Sequence, residues 1–224
     1  MISILSIVHD TMVDGPGFRT SIYCAGCPNH CPECHNPQSW DIKNGTMTST
    51  ADIMKEIMSD PFANVTFSGG DPMFQAEGFT ELAKAIRKES DKNIWCFTGY
   101  KYENLLKNPK QLALLQQIDV LVDGPFIKDL RNEELFFRGS SNQRIINVRK
   151  SLEKGEIVEL IFTKTTQPHN SDRHITQYHC LLKNLHRKHP TQPSIFSRNR
   201  VASHSNGSAC RCKAASLHQQ PPSL

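Results

Sequence analysis

The chemistry in this chain concentrates in one stretch, Cys27-Pro-Asn-His-Cys31-Pro-Glu-Cys34, where three residues and then two separate successive cysteines. Thiolates are soft ligands suited to iron–sulfur clusters, zinc or Cu(I). Three on one short loop lie too close together to be scattered core residues. Their spacing also departs from the paired Cys-x-x-Cys knuckles of closed four-ligand zinc sites. A cubane cluster held by three cysteines would leave one iron free of protein and open to a small molecule. Two other readings stand beside it: a structural zinc with His30 or His35 as fourth ligand, and thiols that are simply reactive. Cys24 alternates with Ile22 and Tyr23 and reads as packing, as does Cys96 between Trp95 and Phe97.

Further candidates lie outside that loop. In Ser68-Gly-Gly-Asp-Pro72, Gly69 and Gly70 would let the backbone approach a ligand closely, and Asp71 offers an acceptor for an ammonium group. A tight strand-to-helix turn would need the same glycines. Val13-Asp-Gly-Pro-Gly-Phe-Arg19 is a second glycine-rich loop. There Asp14 either serves a ligand or accepts backbone hydrogen bonds within a turn, and Arg19 is a candidate partner for a carboxylate. Thr98 and Asp123 end apolar runs and have a structural or a ligand-side role. Arg131, Arg138, Arg144, Arg149 and Lys150 form a basic group that is either a solvated face or a docking surface.

The elements that position these residues follow from periodicity. Short β-type runs are expected at Ile2 to Val8, Thr20 to Tyr23, Asn64 to Phe67, Ile94 to Phe97, Asp119 to Val122 and Arg144 to Val148. A helix is expected from Ser49 or Thr50, carrying Ile53, Met54, Ile57 and Met58 and ending before Pro61. A second carries Phe79, Leu82, Ala83 and Ile86 at i, i+3, i+4 and i+7. Leu105 to Leu115 is helical in parts, with Pro109 interrupting it, and Asn44-Gly45 signals a turn. This alternation is that of a parallel sheet built from βα units, whose sites form at the carboxyl ends of strands. The cysteine loop, Ser68 to Pro72, Thr98-Gly99 and Asp123-Gly124 all follow strands, so the candidates converge on one sheet edge.

Composition narrows the class. The 224 residues carry a net charge of +4, too modest to argue for nucleic acid. No run approaches the roughly 18 apolar residues of a membrane span. Met1 to Val8 lacks the basic leader and cleavage site of a signal peptide, and the clustered cysteines suit a reducing cytoplasm. The apolar fraction of 38% is low for a fully packed chain. After about Ile161 the character changes: seven of the ten histidines (169, 174, 179, 186, 189, 204 and 218) and many Ser, Gln and Pro residues follow. The division expected is a core over 1–155 and a tail over 156–224, largely disordered, with Ser194 to Leu224 the clearest case.

Cys-x3-Cys-x2-Cys resembles the signature of radical S-adenosylmethionine enzymes, and the Val13 to Arg19 loop resembles that of glycyl-radical activating enzymes. Ser68 to Pro72, Trp95-Cys-Phe-Thr-Gly-Tyr100, Leu121-Val-Asp-Gly-Pro-Phe126 and Phe137-Arg-Gly-Ser-Ser-Asn-Gln143 narrow the resemblance to one branch. That branch activates anaerobic ribonucleoside-triphosphate reductase. The match runs from about residue 1 to 155, with its motifs in order. It implies a compact α/β fold of the partial (β/α) barrel type. Cys27, Cys31 and Cys34 would hold a [4Fe–4S] cluster, and Glu33, Cys34, His35, Gly69, Gly70 and Asp71 would contact S-adenosylmethionine. Asp14 and Arg19 would lie at the catalytic mouth. The large reductase subunit would be the partner and a small electron-transfer protein the reductant. Activation of another glycyl-radical enzyme of the pyruvate formate-lyase type, or a non-enzymatic zinc module, are the alternatives. Glu33 departs from the pattern, since related enzymes place an aromatic residue there against adenine and many of this branch carry glycine.

Overall fold

A computed structural model describes residues 1–162. The histidine-rich stretch and the disorder expected from Ser194 to Leu224 lie outside the described residues.

Ten residues, Ile2–Thr11, form β1, which pairs antiparallel with β2 (Arg19–Cys24). The chain then makes the cysteine loop and two short 3-10 turns before β3 (Thr46–Thr48), which returns antiparallel to β1. α1 (Thr50–Ser59) starts where Ser49 Oγ accepts from the Asp52 amide at 3.1 Å. This is the N-cap use of serine, which supplies an acceptor for one of the amides the helix leaves unpaired. β4 (Asn64–Gly69), α2 (Ala76–Glu89) and β5 (Ile94–Phe97) follow. The stretch read as interrupted by Pro109 is two helices, α3 (Tyr102–Leu105) and α4 (Pro109–Leu115). Proline lacks an N–H and so suits the first helical turn, while Asn108 Oδ1 accepts from the Lys110 amide at 3.0 Å. β6 (Val120–Asp123), β7 (Arg144–Asn147) and α5 (Val148–Lys154) complete the order.

The strands form one sheet in the order β3-β1-β2-β4-β5-β6-β7. Only its centre is the parallel sheet expected: β2, β4, β5 and β6 run parallel, and antiparallel β1, β3 and β7 flank them. The fold is therefore mixed α/β. Among the described residues β3 and β7 do not pair with each other, so the sheet is not closed, and beyond β7 an isolated antiparallel bridge joins Ile146 to Glu159.

Alternation gives the parallel strands two different faces. Ile22, Val65, Phe67, Ile94, Cys96 and Leu121 meet helix residues such as Ile53, Ile57, Phe79, Leu82 and Leu114 in the main core. Cys24 and Cys96 are fully buried there, as expected of packing cysteines. On the other face Trp95, Val120, Val122 and Ile145 are covered by Phe97, Phe137, Leu160 and Phe162. Chain after α5 still packs: the Asn147 amide donates to Val158 O (2.8 Å) and the Leu160 amide to Ile145 O (2.7 Å). Packing thus continues past residue 155. No helix among the described residues is long and apolar enough to cross a membrane.

Phe79 is fully buried, with its ring centroid 4.9 Å from that of Phe67. Phe79→Ala is expected to cost about 3–5 kcal/mol through lost burial and the cavity left behind. The urea unfolding midpoint measures this, with the exposed neighbour Glu81→Ala as a near-neutral control.

Candidate functional site

The carboxyl ends of β2, β4, β5 and β6 lie side by side, with Cys24 opposite Gly69. The loops that follow them meet there as expected. Backbone bonds fix the start of the cysteine loop: Gly26 N donates to Ser39 O (2.7 Å), Cys27 N to Trp40 O (3.0 Å) and Asp71 N to Gly26 O (2.9 Å). All five cysteines of the described residues are free of disulfides, and Cys27, Cys31 and Cys34, unlike Cys24 and Cys96, are partly exposed. The loop turns back on itself through positive φ at His30 (43°) and Glu33 (56°) and a bond from Cys34 N to Cys31 O at 3.1 Å.

The sulfurs receive N–H donors. Asn29 Nδ2 lies 3.7 Å from Cys27 Sγ, and Asn36 N lies 3.4 Å from Cys34 Sγ. Partial burial raises the Cys27 thiol, and the Asn29 backbone amide and side chain oppose that rise. Among the described residues no three metal-binding side chains converge on one point, so gathering the thiols on a common centre requires them to rotate. The donor set itself, three accessible thiols on one loop with N–H groups facing two of them, fits an iron–sulfur cluster with three protein ligands. The imidazoles of His30 and His35 rest against Trp40 and Phe126, with centroids 4.9 and 5.6 Å away.

Asp71 stands on the expected edge, beside the cysteine loop. Its carboxylate is fully buried and accepts from Met73 N (3.0 Å), Thr98 Oγ1 (2.8 Å), Gly99 N (3.0 Å) and Asn29 Nδ2 (3.0 Å). Four donors occupy both oxygens, leaving little capacity for a ligand's ammonium group. Desolvation pushes its pKa up from 3.8 to about 6, and the four donated bonds limit the rise. Gly69 and Gly70 are also explained from within. A Cβ on Gly69, at φ +98°, would lie 2.5 Å from Cys24 N, and one on Gly70 would lie 2.6 Å from Gly26 O. The close approach is thus to the chain's own crossing backbone.

Arg19 stands at the amino end of β2, the end remote from the cysteine loop. It is 1% exposed and donates to Thr66 Oγ1 (2.6 Å), Val65 O (2.6 Å), Pro16 O (3.2 Å) and Asn93 O (3.2 Å), with its guanidinium carbon 5.4 Å from the centre of the Trp95 ring. Burial lowers its pKa to about 10, while Asp14 and Asp119 act to raise it. These bonds engage the guanidinium with the chain's own acceptors. Asp14 is held over the sheet by the Tyr23 hydroxyl, which donates to Oδ2, and by Thr66 Oγ1, which donates to its carbonyl at 2.8 Å.

Glu33, in the left-handed region, pairs its carboxylate with Lys128 across solvent. Asp123 is buried and accepts from Arg144 Nε (3.0 Å) and Tyr102 N (2.8 Å), a structural use. The basic group is largely engaged inside the chain: Arg131 with Glu133, Arg144 with Asp123 and Glu103, Arg149 with Asp119, and Arg138 with Gln143 O. A cavity of about 490 Å³ opens beside Asp123, Gly124, Ile127 and Asn142 on this edge. Sequence reasoning missed Asn29, Tyr23 and Lys128. Asn29 lay inside the motif, but its residue type alone did not mark it.

A family model described as a 4Fe-4S single cluster domain matches residues 13–146. The chain is 35% identical over 147 residues to the anaerobic ribonucleoside-triphosphate reductase-activating protein of Escherichia coli K12, covering 62% of this chain and 94% of that protein. Proteins of the same name from Vibrio cholerae (36% over 143 residues) and Enterobacteria phage T4 (34% over 139 residues) match 60% and 59% of this chain, and 90% and 86% of their own lengths.

Two measurements check the roles assigned to the buried charges. Arg19→Ala, which strips donors from buried acceptors, is expected to destabilise by about 3–5 kcal/mol in urea unfolding. Arg19→Lys should recover only part of that, because one ammonium cannot reach every acceptor. Asp71 binds its proton more tightly folded than unfolded, so its contribution to stability is complete below about pH 4 and is lost as pH rises through about 6. The fall is about 3 kcal/mol by linkage. Asp71→Asn should lack that component of the pH slope between pH 4 and 7, and parallel slopes in the two proteins would refute the assignment.

Proposed function

We propose a mechanism from the premise that this chain belongs to the family of anaerobic ribonucleoside-triphosphate reductase-activating proteins and to the 4Fe-4S single cluster domain family. In this reading the chain is a radical S-adenosylmethionine enzyme that installs a glycyl radical on the large subunit of anaerobic ribonucleoside-triphosphate reductase. A small electron-transfer protein supplies the electron, in the cytoplasm. The observation that carries the reading is the placement of Cys27, Cys31 and Cys34. They are partly exposed on a loop anchored where four parallel strands end.

A [4Fe–4S] cluster held by Cys27, Cys31 and Cys34 would supply one electron to split S-adenosylmethionine into methionine and a 5′-deoxyadenosyl radical, which would take a hydrogen atom from a reductase glycine. The chain's residues hold and orient. Cys27, Cys31 and Cys34 are the cluster ligands. The main chain of Glu33, Cys34 and His35 is the adenine-side contact, because the Glu33 side chain is turned to Lys128. Gly69 and Gly70 keep the strand crossing thin behind the cofactor, and Asp71 fixes that wall without touching the ligand. Asp14 presents its glycine-rich loop to the partner, with Tyr23 orienting its carboxylate and Arg19 holding the loop through Pro16 O. The parallel strands act as the wall of a partial (β/α) barrel, open on the face that carries Tyr23 and Ser68. Residues 1–155 are the catalytic core, and residues 156–162 extend its packing on the sheet.

Anaerobic loading with iron and sulfide, followed by reduction, is expected to yield 5′-deoxyadenosine from S-adenosylmethionine. Replacing any one of Cys27, Cys31 or Cys34 with alanine should abolish the product. Adding the reductase large subunit should then give a glycyl-radical resonance. A colourless, zinc-loaded protein that forms no 5′-deoxyadenosine would overturn the reading.

A further inference from the structure

The Asn29 side chain sits between a carboxylate and a cysteine sulfur. Its Nδ2 is 3.0 Å from Asp71 Oδ2 and 3.7 Å from Cys27 Sγ. A primary amide nitrogen carries two N–H groups. A carboxylate and a metal-bound thiolate are both acceptors, so the two contacts use both hydrogens and fix which end of the amide faces them. Asp71 cannot yield, being fully buried and held from three other directions by Met73 N, Thr98 Oγ1 and Gly99 N. The amide therefore has one orientation, dictated from the strand ends.

Gly99 provides the space. A Cβ added there would lie 2.3 Å from Asn29 Nδ2 and 2.7 Å from its Cγ, the nearest atoms to that position. Gly99 does not have a positive φ, so its backbone does not require glycine. What requires it is the amide of Asn29.

We propose that Asn29 is a positioning residue that tunes the cluster, passing the fixed orientation of Asp71 to Cys27 as an N–H···S hydrogen bond. This inference rests on the cluster reading above. Hydrogen bonds to ligand sulfurs withdraw charge from the thiolate and favour the reduced, more negative state, which raises the reduction potential. In this chain the electron must reach a cluster held by three thiolates near a buried carboxylate, whose charge disfavours reduction. The Asn29 amide lies between them and offers its positive end to both.

The test uses the full chain loaded anaerobically, with iron and sulfide content and the midpoint potential as readouts. Asn29→Ala removes the donor. Gly99→Ala keeps Asn29 but displaces its amide, leaving Cys27, Asp71 and every other donor to Asp71 in place. Both are expected to load a cluster to the wild-type content and to titrate at a more negative potential, with Asn29→Ala showing at least the larger shift. Full loading with unchanged potential in both variants would overturn the proposal. Failure of both to hold a cluster would overturn it too, since the amide would then be a prop for the loop. If the wild-type chain itself takes up no cluster, the cluster reading fails and not the assignment of the amide contact.

Discussion

Burial of the Asp71 carboxylate imposes the geometry on which the rest of the site depends. An isolated carboxylate moved out of water loses several kcal/mol of hydration, and no ion pair to Asp71 is found among the described residues to offset it. Its compensation is four neutral donors, each contributing about 1.5–3 kcal/mol when the acceptor is charged. Those donors come from separate parts of the chain: the turn after Asp71 itself, the end of β5, and the cysteine loop. If any segment moves away, a buried charge loses a partner. The loops are thereby coupled in position by one buried carboxylate.

Arg19 repeats the device with opposite sign at the other end of the strands. It too is buried with no direct ion pair among the described residues, and its donors reach β4, the Asn93 backbone and the glycine-rich loop. Stacking on Trp95 covers one side of its guanidinium. One buried charge thus gathers the loops at the carboxyl ends, and another secures the loop that covers the sheet from the amino ends. Tyr23 links the two levels, since it lies one residue before the end of β2 and holds Asp14. The open face between them is bounded by residues whose positions both charges determine.

Much of this was legible in the sequence. The cysteine spacing marked the site, period 3.6 gave α1 and α2, and the short apolar runs gave the central strands. Loops after strands were expected to meet on one edge, and they do. The antiparallel flanks were not legible: β3 has three residues of ordinary polarity, and strand direction is not written in a run of apolar residues. Gly69-Gly70-Asp71 fits a ligand cradle and a tight crossing equally well as a string. The structure adds the crossing: a Cβ on either glycine would lie 2.5 or 2.6 Å from the backbone of Cys24 or Gly26. Arg19 and Asp71 read as free functional groups because charge is legible in sequence while burial at a loop junction is not.

Glu33 illustrates the same limit from another side. Its type departs from the pattern the resemblance implies, and at φ 56° its backbone occupies the region glycine enters freely. A non-glycine residue there costs about 1–2 kcal/mol. The pair with Lys128 is half exposed on both sides, and pairs of that kind contribute about 0–1 kcal/mol. The ion pair therefore offsets part of the strain and does not create the turn. The turn is imposed by the loop's closure, with Cys34 N bonded to Cys31 O, and any residue at that position must adopt it. In the structure that position is a bend the loop's closure requires, with its side chain directed to Lys128.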